Sequence, residues 1–353
     1  MTNNDLQTEL NRLLPAAEGR EEILRDYLEE QSKDGSAAIR ALNLAGGLIA
    51  TITLIGFLAL GGLFDSRASV LVVGLLLSGG AFALNRSSAG LLAEAFTVAL
   101  SVTGGIMLLV AFGYDFYSER MTCLAGFALS VIFLVVIDNK IVAFLATFAA
   151  GISLLIWAIL ADWQFLTHLF LGLHAVMLTL VFLGESRLLT LTSGLTRRYP
   201  FIRDGLAMSF LMAAIYHGRQ YWWSEEVMVQ QYVASCIIIP LVLFVAYRQL
   251  SKFSIGGGSK WAYLAGLALL LSPTIFAPAI AAAMLLLLLA FSAGTRSLTA
   301  IAAAAMIYAI GQYYYDLHLT LFTKSVVLMV SGALLLAAYG FLHPKLIHHE
   351  DAH

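Results

Sequence analysis

The side chains best placed to do chemistry lie inside stretches that are otherwise apolar. His168 and His174 fall in the run 165–184, Glu94 in 89–113 and Lys324 in 318–342, with Asp316 just ahead of it. An ionisable group in a membrane-spanning helix is costly to bury, so it faces a partner, a cavity or an ion pathway. Histidine exchanges a proton near neutral pH, which suits a relay. His168 and His174 stand six residues apart. That leaves them about 120° apart around a helix, so they form no joint metal site. For His174, the deeper of the two, the plain reading is a neutral ring bonded to a neighbouring helix. The sharper reading is a proton relay.

Lys324 lies roughly 10 Å into the final run at the helical rise. Burying it unpaired at the bilayer centre would cost about 2.5–3.5 kcal/mol. A nearby partner is therefore expected in Asp316, Thr320 or a tyrosine of the 313–315 run. Lys324 then either pins the last helical hairpin at the interface or lines an outward-facing cavity with Asp316 and His168. Glu94 lies roughly 8 Å into its run. Its side chain tilts toward the start of its helix and so reaches back to the nearer interface.

Soluble-enzyme chemistry finds no support. No P-loop, dinucleotide fingerprint, HExxH or GxSxG is present. Gly256-Gly257-Gly258 lacks the GK[ST] ending of a phosphate cradle and reads as a turn. Cys123 and Cys236 sit singly in apolar segments, with no metal-ligand spacing and no disulfide framework. The expectation is no metal, no cofactor, no nucleic acid and, in the absence of any nucleophile–base constellation, no enzyme.

The elements that must position these residues are membrane helices. Hydrophobic residues make up 60% of the chain and charged ones 12%, about half the charge of a soluble domain. A crossing helix needs roughly 17–25 mainly apolar residues. The sequence offers twelve such segments, at 41–63, 68–84, 89–113, 121–137, 141–160, 165–184, 204–222, 229–247, 260–275, 278–294, 297–315 and 318–342. Pro273 and Pro278 leave 260–294 open between two spans and one span with a re-entrant piece. The paired glycines at 46–47, 61–62, 79–80 and 104–105 let helices approach closely. No internal repeat is evident.

Residues 1–40 are polar and lack the basic start and apolar core of a signal peptide. Leu6, Leu10, Leu13 and Leu14, then a break at Pro15, then Ile23, Leu24, Tyr27 and Leu28, predict a short amphipathic helical hairpin. The expected organisation is this hairpin and linker (1–40), an all-α polytopic transmembrane bundle of about twelve spans (41–342), and a tail (343–353). Placing both termini in the cytoplasm puts sixteen of the twenty Lys and Arg residues inside and leaves Arg67, Arg120 and Arg219 outside, with Lys324 within the last span. That asymmetry is the positive-inside pattern. The opposite face gathers Asp65, Asp115, Glu119, Asp162, Glu225, Glu226 and Asp316, with tyrosines and tryptophans. It is an interfacial aromatic belt or an outer vestibule or docking surface.

The stretch Gly311-Gln312-Tyr313-Tyr314-Tyr315-Asp316-Leu317, with Thr320-Leu321, Lys324-Ser325 and the Ser331-Gly332 to Leu336 run, resembles the domain-of-unknown-function 4401 family. Pro278 to Arg296 also looks like that family. The resemblance implies a multi-pass protein of the bacterial inner membrane with no assigned activity. Its members look like neighbours of proteins carrying a GDYXXLXY signature. A second membrane or periplasmic protein encoded nearby is therefore an implied partner, besides the lipid bilayer. Two functional classes follow. The leading one is a membrane subunit or scaffold of a multi-protein assembly. The alternative is a secondary transporter or permease for a small solute.

Overall fold

A computed structural model describes residues 37–62, 66–87, 91–115, 118–185, 188, 193–218, 231–252, 257–316, 322, 325–326 and 329. The leading hairpin, the C-terminal tail, Lys324 and most of the last predicted span lie outside the described residues. Every regular element among the described residues is helical. In chain order these are α1 (Ala37–Leu60), α2 (Arg67–Ser87), α3 (Leu91–Asp115), α4 (Glu119–Val136), α5 (Lys140–Leu160), α6 (Gln164–Leu183), α7 (Ser193–Gly218), α8 (Gln231–Lys252), α9 (Gly257–Leu271), a 3-10 turn (Ser272–Phe276), α10 (Pro278–Ser292) and α11 (Arg296–Asp316). Six of them, α2 to α6 and α8, are long and apolar enough to cross a membrane. Arg197, Arg198, Pro200 and Arg203 interrupt the apolar character of α7, and Gln312 and three tyrosines that of α11.

The chain divides into two compact units, 1–115 and 116–353. In the first, α3 packs against α1 and α2. A Cβ on Gly104 would lie 2.5 Å from Ser78 Oγ and 2.8 Å from its backbone nitrogen, so the α2–α3 contact is close to backbone on backbone. Leu58, Val70, Met107 and Ala111 fill the core of this unit. In the second unit, α7 is the hub. It packs on α5, α6, α10 and α11, while α8 joins α6 to α10. A Cβ on Gly205 would stand 2.5 Å from the Phe144 carbonyl, and one on Gly151 would stand 2.4 Å from Ser209 Oγ. Gly205 lets α7 approach the α5 backbone directly, and Gly151 leaves room for the small Ser209 side chain, the small-residue contact that membrane helices use in place of a hydrophobic drive. Phe210, Leu171, Leu178, Ile238, Leu285 and Leu289 are buried around α7 and α10.

The stretch 260–294 resolves into two helices joined by the 3-10 turn, with Pro278 in the first turn of α10. At about 1.5 Å per residue each helix is roughly 22 Å long, short of a full hydrocarbon core.

Candidate functional site

α6 and α7 run side by side in opposite directions, and their contact carries the polar groups of the second unit. His168 lies just over one turn into α6, and His217 is the penultimate residue of α7. Their rings meet edge to face with centroids 4.7 Å apart. Both are buried, at 1% and 2% exposure. His217 Nδ1 lies 2.7 Å from the Ala213 carbonyl, one turn back on the same helix. A carbonyl only accepts, so Nδ1 carries the hydrogen and Nε2 of the neutral ring presents a lone pair. The Thr167 backbone also lies against the His217 ring, yet Nε2 makes no hydrogen bond of ordinary geometry. Neither ring nitrogen of His168 has a partner. Three buried ring nitrogens are therefore unsatisfied in one spot, where each such group costs about 1–3 kcal/mol.

A small cavity adjoins the pair. His217 and Gly218 line it from α7, Pro278 and Ala279 from the start of α10, and Gln312 and Tyr313 from the end of α11. Its volume is about 10 Å³, room for about one water molecule. A second cavity of the same size shares Gly218, Ala279 and Gln312 and runs on between α7 and α10 along Leu211, Ala214 and Ala283. The start of α6, the end of α7, the start of α10 and the end of α11 thus gather at one end of this unit.

His174, about 9 Å further along α6 at the helical rise, is held differently. Its Nε2 is 3.2 Å from the Leu206 carbonyl and 3.3 Å from Ser209 Oγ, both on α7. Ser209 Oγ in turn donates to Leu206 O at 3.0 Å. Phe170 and Phe210 enclose the ring.

Further along, the charged residues at the start of α7 are all engaged. Buried Arg203 bonds Asp204 at 3.1 Å and lies against the rings of Phe182 and Tyr199. Tyr199 donates to Val181 O at 2.8 Å. Asp138, in the turn between α4 and α5, pairs with Arg197 and, at 3.3 Å, with Arg198. Arg198 also donates to the carbonyls of Leu134 and Ile137 at 2.8 and 3.4 Å, capping the last turn of α4. Next door, Asn139 caps α5 by accepting from Ile141 N and Val142 N. Arg197 and His217 are separated by roughly 30 Å along the helix, about the thickness of a bilayer's hydrocarbon core.

Of the residues singled out by sequence, the second unit brings His168 and His174 onto the α6–α7 contact. Asp316 is the last residue of α11, one turn beyond Gln312 and Tyr313. Glu94 belongs to the first unit and is exposed in the first turn of α3, where its charge complements the helix dipole. Among the described residues no cluster of three or more His, Cys, Asp or Glu side chains could hold a metal ion. Sequence reasoning passed over His217. The same rule that selected the other two histidines applies to it, but it stands near the end of a polar, weakly apolar span.

Residues 37–344 match the model of the domain-of-unknown-function 4401 (DUF4401) family. The chain belongs to that family. No curated protein and no solved structure matches it.

Proposed function

We propose that this chain is a secondary transporter or permease of the bacterial inner membrane, with about twelve spans, both termini in the cytoplasm and its working centre on the α6–α7 contact. The observation that carries this reading is the file of buried polar groups along α7: the His168–His217 pair, then His174 with Ser209, then Arg203. Ionisable groups that face a bundle interior at membrane depth mark ion and substrate pathways more often than packing sites. The positive-inside pattern puts the arginine end at the cytoplasm and the histidine pair toward the outer face.

A carrier must expose its centre to both sides in turn. A single cysteine at Ala279, which lines both cavities, replaces Cys123 and Cys236 for this purpose. In a carrier, a small impermeant thiol reagent labels it in right-side-out and in inside-out vesicles. Labelling from one side only, or from neither, contradicts the proposal. Orientation has its own check in the same background. Cysteines at Ser87 and Gly257 should be shielded in intact cells and one at Glu225 should react.

A membrane subunit of a multi-protein assembly is the second reading, and the leucine pattern of residues 1–35 in the sequence favours it. Four leucines on so short a helix want a partner. Removing residues 1–35 should leave insertion intact and lower recovery of a companion protein at fixed stoichiometry. Loss of insertion would make the hairpin part of the core fold.

A further inference from the structure

We propose that His168 and His217 together form a binding site for a single proton, which is the ion this carrier couples to; the inference rests on the transporter reading above. The first support is the state of the nitrogens. With Nδ1 of His217 committed to Ala213 O, its Nε2 is a free base, and His168 holds a second free base and an unused N–H. Such an arrangement gains a hydrogen bond only when a proton or a water arrives. The second support is spacing. Rings 4.7 Å apart in a buried site cannot both be charged without strong like-charge repulsion, so the pair takes one proton and not two. The third is access. His217 ends α7 and borders the water-sized cavity that Gln312 and Tyr313 line. A proton delivered from water on that side converts one imidazole to imidazolium, and return to water restores it.

The surroundings fit a neutral resting pair. Tyr216 stands edge-on to His217 at 5.4 Å on the same helix, and Tyr313 faces the cavity from α11. α10 contributes only Pro278, Ala279 and Ile280 there, with Ala277 just before them. On α6, His174 is occupied by Leu206 and Ser209. Protonation therefore has the backbones of Ala213 and Thr167 to draw on and no charged partner among these groups, so the proton is held by dipoles alone and can leave again.

The test is nitrogen NMR of protein with 15N-labelled histidine in lipid nanodiscs, acidified stepwise. His168→Gln and His217→Gln assign the two rings, with His168→Asn and His217→Asn as substitutes if either variant fails to fold. The expected result is one shared step in which both rings shift together and one proton is gained per chain. Two complete and separate titrations, or none above the pH at which the protein unfolds, overturn the proposal. Proteoliposomes with a trapped pH dye and an imposed potential then read proton movement, which each Gln variant should reduce at least tenfold. A shared titration without proton movement or two-sided labelling at Ala279→Cys leaves the proton site standing and removes the carrier. Two-sided labelling without titration does the reverse.

Discussion

The two ends of α7 hold ionisable groups in opposite ways. At one end Arg197, Arg198 and Asp138 are half-exposed or better connected, and every group has a partner: a carboxylate, two carbonyls and a capped helix start next door. At the other, His168 and His217 are wholly buried, and between them make one hydrogen bond from four ring nitrogens. The first arrangement fastens α7 to the α4–α5 turn and has no reactive group left over. The second costs stability and leaves two bases free. Among the described residues the Ser78 and Thr103 hydroxyls of the first unit also lack a partner, but three unsatisfied ring nitrogens at one contact point to function there.

That contrast can be broken by substitution, and the effects should fall in order. Arg198→Ala removes both carbonyl caps of α4 and one ion pair. Unfolding free energy in mixed micelles should drop by about 3 kcal/mol, since hydrogen bonds to charged groups contribute about 1.5–3 kcal/mol each and part is recovered by water. An unchanged value would mean that the α7 extension is not fastened there. Gly205→Ala comes next. Its Cβ would meet the Phe144 carbonyl, a backbone atom that cannot swing aside. A loss of about 1–3 kcal/mol follows from overpacking, with both ends of α7 disturbed together. Asp138→Asn should cost less than about 1 kcal/mol, because its carboxylate and Arg197 are both roughly half exposed and such pairs are screened by salt. A larger cost, or one insensitive to salt, would show that the ion pair is shielded by lipid or protein.

How much of this was legible in the sequence depends on which force draws each boundary. Ten predicted spans that fall on described residues start and end within about five residues of a helix, because apolar length sets both. α7 is the exception. The apolar reading starts it at 204, whereas the helix begins at Ser193. Its first turns carry Arg197 and Arg198, and they stay helical because Asp138 and the end of α4 receive these two arginines. A hydropathy pattern cannot see a partner 59 residues away. The same blindness hid the site. His168 and His174 stand out as ionisable groups in an apolar run, about 120° apart around the helix; both meet α7, His168 at His217 and His174 at Ser209 and Phe210, with Phe170 beside it. That His217 would face His168 required the antiparallel register of α6 and α7, which Gly151 and Gly205 help to set through α5 and which no local spacing encodes. The suggested grouping of Lys324 with Asp316 and His168 lies partly outside the described residues. What the second unit does bring to the histidines from that region is Gln312 and Tyr313.

The central claim is that the histidine end is maintained for work and not for holding the fold. The most direct test is the unfolding free energy of His168→Leu, measured beside wild type in the same lipid mixture. Leucine fills similar space and removes two unsatisfied nitrogens, so stability should be equal to or above wild type, as when a buried unpaired polar group is replaced by an apolar one. A fall of more than about 2 kcal/mol, the scale of a lost buried hydrogen bond left with an orphaned partner, would make His168 a structural residue and contradict the account.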